Sequence, residues 1–436
     1  MNMTENFPLE GLKNVLVFPC GSEIGLEINR SLANSIHFKV FGVSSVDDHG
    51  RFVYKNYIPD FPFVDSDDFI DKLNQVIERY KIDFIFPAHD SVVLKLAQNI
   101  DKIAANVITS SLGTCEICRS KTKTYKVLEG VIKTPKVYSV NDKNIDYPIF
   151  IKPDVGQGSK GAKRINTAGE LEAAYLENSQ IVISEYLPGK EYTVDCFTNR
   201  QGELLFAQGR ERARISNGIS VNSMPVQDSR FQEIALKINS VLKFQGVWFF
   251  QLKQRSDNEL VLMEVAPRIA GTMGLYRGLG INFAQLSLFD AMGVEVSIQP
   301  NNFSIEIDRA LFSRYKTNLK YNTVYVDLDD TLIVNENVNA ELMKLLYQEK
   351  NHKKKIILIS KHSGNIESTL KKFNISFGLF DEIIHLERNQ NKCDFVKYKN
   401  AIFIDDSFNE RLSVLVEHNI PVFSVDAIDV LLDWKN

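Results

Sequence analysis

The chain has 436 residues, 51 basic against 55 acidic, a net charge of −4, and 44% hydrophobic residues. This length exceeds one ordinary core and implies roughly two to four domains, while the near-balanced charge excludes a general bias toward nucleic acid or a membrane surface. Met1–Glu10 carries acids and no basic leader region, no apolar run reaches membrane-spanning length, and the composition fits a cytoplasmic enzyme.

Residues 12–110 alternate apolar runs with helical spacing. Asn14–Pro19, Phe38–Val43 and Phe84–Pro87 read as strands; Gly21–Asn34, Asp67–Tyr80 and Val92–Gln98 carry the helices between and after them. This alternation predicts a parallel sheet covered by helices. Gly21 and Gly25 follow the first strand without a full dinucleotide fingerprint, so a packing role is the plainer reading. His89 and Asp90 follow the third strand, at the end where open α/β sheets place ligands, although Asp90 also suits a helix cap. Of the five cysteines only Cys115 and Cys118 are close, and no second pair completes a zinc set. Reduced thiols are the plain reading and redox or metal chemistry the alternative.

Residues 111–148 form a polar lead-in with a helix and a cluster of Lys121, Lys123 and Lys126, a pattern that also suits a solvated helix face. The strand Ile149–Ile151 then ends at Lys152 and a loop with Gly156, Gly158, Ser159 and Gly161. Glycines let backbone amides approach an anion and Lys152 adds charge, so the stretch reads as a phosphate grip, with a plain glycine-rich turn as the alternative. A helix over 168–178, a strand Gln180–Glu185, a turn Tyr186–Gly189 and a strand Glu191–Phe197 follow.

Arg210, Arg212 and Arg214 alternate along the next strand, and period-two spacing places them on one face. They read as a clamp for phosphate or carboxylate, or as a charged edge that resists aggregation. After a helix over 230–243, the strands Val247–Lys253 and Glu259–Val265 carry Gln251 and Glu264 among apolar neighbours. Polar groups there are costly to bury without a role, and Mg²⁺ with oxygen ligands is a natural one.

This order of residues over 1–318 resembles the ATP-grasp superfamily, in particular carboxylate–amine ligases related to the carbamoyl-phosphate synthase large subunit. The resemblance implies a Rossmann-like preATP-grasp domain over 1–110 and an α+β ATP-grasp domain over 111–318, with a lid over about 120–190. It also implies ATP and Mg²⁺ as cofactors. It matches Lys121, with Lys123 as a rival, and Lys152 to the nucleotide lysines, and Gly156–Gly161 to the phosphate loop. Glu185, Tyr186 and Leu187 match the adenine hinge, Glu191 the acid on the ribose, Gln251 and Glu264 the Mg²⁺ ligands, and Arg268 the arginine near the γ-phosphate and substrate. Gln251 departs from the commoner acid, and Ala266 stands where an Asn ligand to a second Mg²⁺ is expected.

Residues 319–436 read as a separate α/β unit. The strand Thr323–Val326 ends in Asp327, Asp329, Asp330 and Thr331; Lys355–Ile359 ends at Ser360; Ala401–Ile404 ends at Asp405 and Asp406. Polar groups at the carboxyl ends of strands gather in one site. The segment resembles the haloacid dehalogenase (HAD) phosphatases. That resemblance makes Asp327 the nucleophile, Asp329 the general acid–base, Thr331 a loop-fixing residue, and Ser360 and Lys392 the phosphoryl binders. Asp405 and Asp406, with Asp327 and the Asp329 carbonyl, would hold a second Mg²⁺. The short segment between Asp329 and Ser360 has no room for a large cap, and His352–Lys355 reads as a solvated helix exit.

The combined expectation is a bifunctional biosynthetic enzyme: a ligase for a small carboxylate and amine, and a phosphatase for a phosphomonoester of the same pathway. A phosphatase with a nucleotide-sensing ATP-grasp module, and a ligase with a scaffold-only HAD domain, are the alternatives. Dimers are common among such relatives, but no interface signature stands out.

Overall fold

The computed structural model describes residues 11–156, 158, 160–216, 218–433 and 435. Its contacts divide the chain into two units, Met1–Leu311 and Phe312–Asn436. No helix of the described residues is long and apolar enough to cross a membrane.

The first unit begins with a five-stranded parallel sheet, ordered Asn56–Ile58, Phe38–Val43, Lys13–Phe18, Phe84–Pro87, Asn106–Val107. Side chains alternate across a strand. Val15 and Val17 therefore meet Ile28 and Leu32 of the Glu23–Leu32 helix on one face, while Leu16 and Phe18 meet Leu73 and Ile77 of the Phe69–Tyr80 helix on the other. Both faces are covered, which explains the unbroken apolar runs. Gly25 lies so close to the end of the first strand that a Cβ would sit 2.5 Å from the Cys20 carbonyl, so this glycine serves packing.

A six-stranded antiparallel sheet follows, ordered Leu260–Ala266, Gly246–Gln254, Glu191–Thr198, Leu204–Ser216, Ile219–Val226, Ile307–Asp308. A smaller antiparallel sheet is ordered Val137–Tyr138, Ile181–Glu185, Ile149–Pro153, Lys163–Ile165. It packs Ile149, Ile151 and Ile183 against Leu171 and Ala174 of the Ala168–Glu177 helix. The Lys121–Leu128 helix instead buries Tyr125 and Leu128 with Trp248 and Phe250 of the larger sheet.

The second unit is a parallel sheet ordered Glu382–His385, Lys355–Ser360, Thr323–Val326, Ala401–Ile404, Val422–Phe423. Val324 and Val326 enter one core and Tyr325 the other. Between Asp329 and Ser360 lie a two-stranded hairpin, Ile333–Val334 with Asn337–Val338, and the helix Ala340–Asn351. At the exit of that helix Lys354 pairs with the buried Glu349 at 2.6 Å.

Candidate functional sites

Lys152 is held by an irregularity that the sequence does not announce. Gln251 pairs with Glu264, but its neighbour Leu252 pairs with Leu262. Met263 is thus the extra residue of a β-bulge, and its carbonyl leaves the ladder. That carbonyl accepts from Lys152 Nζ at 3.0 Å and from the Tyr125 hydroxyl at 2.8 Å. The Lys152 ammonium also lies 5.3 Å from the Tyr125 ring centroid. Burial pushes the Lys152 amine down to about 8, against the opposing pull of Glu264.

Two cavities are lined by this lysine, and a third adjoins one of them. A cavity of about 130 Å³ is lined by Lys121, Lys152, Lys160, Lys253, Gly156, Gly158, Glu191 and Glu264. Lys121 therefore faces the same space as Lys152, whereas Lys123 is exposed. Gly158 has φ +61°, a conformation that favours glycine. Gly161 packs against Pro153, and Ser159 lies outside the described residues. A narrow slot beside Lys152 is lined by Phe150, Glu185, Tyr186, Leu187 and Met263. The Glu185 carboxylate accepts from Arg255 at 2.7 and 2.9 Å and from the Lys136 amide at 2.8 Å. Glu191 pairs with Arg212 and with Lys253.

The third cavity, about 280 Å³, shares Gly158 and Glu264 with the first and adds Ser22, His89, Asp90, Arg210, Arg212, Gln251, Arg268 and Arg309. Gln251 and Glu264 stand opposite one another, half-buried at its edge. One carboxylate and one amide oxygen fit a Mg²⁺ whose other ligands are phosphate oxygens. Ala266, two residues beyond Glu264, has no oxygen in its side chain to add.

Two expectations are corrected here. Asp90 does not cap its helix: His89 does, its Nδ1 accepting from the Ser91 amide at 3.3 Å. Asp90 instead accepts from Arg268 Nε at 2.6 Å and Nη2 at 2.9 Å. Burial pushes its carboxyl up, but Arg268 and Arg119 outweigh it and leave it below the usual range. Nor do the three arginines form one clamp. Arg210 is buried on Asp195, Arg212 reaches Glu191, and Arg214 is exposed on Asp308. Register shifts on both sides of Arg214 break the period-two pattern, and Arg214 is absent from the lining of the third cavity.

A larger cavity of about 870 Å³ is lined by Lys13, Asp83, Asn106, Gln245 and Asp290. It lies at the amino ends of the parallel strands, opposite the end where such sheets place ligands, and contains none of the groups above. Cys115 is buried, Cys118 half-buried, and both are free thiols.

In the second unit, Asp327, Asp405 and Asp406 offer oxygens that lie within 4.8 Å of one another. Lys392 Nζ stands 2.6 Å from both Asp327 and Asp405. Burial raises the Asp327 carboxyl to about 6, with Lys392 opposing and Asp405 assisting. The Thr331 hydroxyl accepts from the Asp406 amide at 2.9 Å, tying two strand ends together. Ser360 is buried, and its Oγ accepts from the His362 amide at 3.2 Å. The donor set, three carboxylates at one focus, fits a hard divalent cation. The Asp329 side chain turns to His362, whose Nδ1 lies 2.9 Å from Oδ1.

Sequence reasoning missed Tyr125, the Met263 carbonyl, Arg309 and His362. His362 had a usable signal, its place just after Ser360 at a strand's carboxyl end; the others depend on a bulge or on distant packing.

A family model described as ATP-grasp in the biosynthetic pathway with Ter operon matches residues 177–310. A D-alanine–D-alanine ligase of Fusobacterium nucleatum is 27% identical over 191 residues, covering 39% of this chain and 63% of the ligase. The chain spans less than two thirds of the length of the curated relatives it matches. An N5-carboxyaminoimidazole synthetase from Staphylococcus aureus complexed with ADP shares the fold at TM-score 0.56 and 18% identity, over 67% of this chain and 79% of that one. An L-amino acid ligase from Bacillus licheniformis does so at TM-score 0.53 and 19% identity, over 64% and 74%. Residues 177–310 are thus similar to an ATP-grasp family, and the shared fold extends over about two thirds of the chain.

Proposed function

We propose that the first unit is an ATP-dependent carboxylate–amine ligase. A carboxylate oxygen attacks the γ-phosphorus of ATP, the bond to ADP breaks, and an acyl phosphate forms. An amine then attacks the acyl carbon and phosphate leaves. The observation that carries this reading is the convergence of Lys121, Lys152 and Glu264 on one cavity that adjoins the Arg268 cavity. Two anions must be held against each other, and fixed cations lower that cost. Lys121, Lys152 and the glycine loop hold the phosphates; Glu185, Tyr186 and Leu187 face adenine; Glu191 faces the ribose. Gln251 and Glu264 would hold Mg²⁺, which supplies charge neutralisation on the phosphates. Arg268 and Arg210 face the carboxylate. The names of the matched D-alanine–D-alanine and L-amino acid ligases favour small amino-acid substrates. Hydroxylamine tests the intermediate: with ATP and a panel of amino acids it should yield a hydroxamate, and no hydroxamate alongside amide product would defeat the acyl phosphate.

We also propose that the second unit is a HAD-type phosphatase for a phosphomonoester of the same pathway. Asp327 attacks phosphorus, Asp329 protonates the departing oxygen and then activates water, and Lys392 and Ser360 hold the phosphoryl group. The focus of Asp327, Asp405 and Asp406 supports it. Release of phosphate from p-nitrophenyl phosphate, lost in Asp327→Asn, is the test. Ala266 favours one second reading, a nucleotide sensor joined to a phosphatase, in which ATP binds without turnover. We place both activities in the cytoplasm, on small molecules.

A further inference from the structure

Arg212 joins the nucleotide cavity to the metal-binding face. Its Nη1 donates to Glu191 and, at 3.3 Å, to Gln251 Oε1, while Nη2 donates to the Gly218 carbonyl at 2.7 Å. Its side chain is 8% exposed. The facing strands offer one carboxylate, Glu264, and one amide, Gln251, whose oxygen already accepts from this fixed cation. Residue 266, on the same face as Glu264, is an alanine. One carboxylate and phosphate oxygens suffice for one Mg²⁺, and the alanine at 266 adds no oxygen ligand for another.

Resting on the ligase reading, we propose that Arg212 supplies the second positive charge on the triphosphate, so that the site takes nucleotide with a single divalent ion. Guanidinium stays protonated and forms charge-assisted bonds to phosphate oxygens. It therefore performs at a fixed position what a second, recruited cation would otherwise do.

The test counts ions. Mn²⁺ replaces Mg²⁺, and electron paramagnetic resonance measures free Mn²⁺ with and without AMP-PCP, an ATP analogue with an uncleavable terminal linkage. Beyond the Mn²⁺ that the same AMP-PCP takes up without protein, the increment on saturation is one Mn²⁺ per chain; taking the increment removes the baseline from the Asp327 cluster. An increment of two overturns this proposal and leaves the ligase reading standing. Arg212→Gln weakens AMP-PCP binding by about tenfold or more and AMP binding far less, because only the triphosphate meets the lost charge. Arg212→Lys, which keeps the charge, recovers most of that affinity. Equal losses for both nucleotides, or none, overturn the proposal. Failure of the unaltered chain to bind nucleotide at all overturns both this inference and the ligase reading.

Discussion

Asp90 and Arg268, 178 positions apart, form a two-pronged ion pair at 2.6 and 2.9 Å. The pair joins the end of the parallel sheet to the end of the larger antiparallel sheet, beside the proposed substrate cavity. Arg268 also lies 5.1 Å from the Phe249 ring centroid. Removing one partner strands a largely desolvated charge. Asp90→Ala should cost about 3 kcal/mol of stability, read as a lower urea midpoint; an unchanged midpoint would show that solvent replaces the carboxylate freely.

Lys152 predicts a proton signature. Its pKa is about 8 in the folded chain against 10.5 in its ordinary state, with burial the main cause. Between those values the unfolded chain binds more protons, so this group makes stability rise with pH from about 8 to 10.5. A bound polyphosphate raises the pKa again. Nucleotide binding near pH 8.5 should therefore take up protons, seen as a buffer-dependent calorimetric heat that Lys152→Met abolishes. Equal heats in buffers of different ionisation enthalpy would contradict it.

The two proposed activities should separate by mutation. Glu264→Ala should lower ATP turnover by about 10²-fold or more and leave hydrolysis of p-nitrophenyl phosphate intact. Asp327→Asn should do the reverse, losing about 10³-fold in phosphatase rate. Parallel losses in either variant would refute separate sites.

His362 should act through Asp329. His362→Ala frees the carboxylate from its 2.9 Å contact and should lower the phosphatase rate about tenfold to a hundredfold. The loss should fall on kcat rather than KM. A change in KM alone would assign His362 to substrate binding.

Much of the fold was legible because both sheets of parallel strands are covered on two faces. Phe38–Val43 and Phe84–Pro87 are strands over the expected residues, since continuous burial leaves continuous apolar sequence. Asn56–Ile58 and Asn106–Val107 escaped notice because short edge strands carry too little pattern. The sequence singled out Lys152 and Glu264, which line one cavity, and Asp327 and Asp405, which stand together. Partnerships were not visible: Asp90 looked like a cap because its arginine lies far along the chain, and Arg214 looked like a clamp residue because bulges leave no sequence mark.

The central claim is ATP turnover at Lys152. Phosphorus NMR of the chain with Mg²⁺, ATP and a protein-free metabolite extract tests it most directly, run beside Lys152→Ala. The account predicts ADP and phosphate that appear only with the extract and vanish in the variant. ATP that stays intact with every extract, while the protein binds nucleotide, would contradict the ligase and leave a sensor in its place.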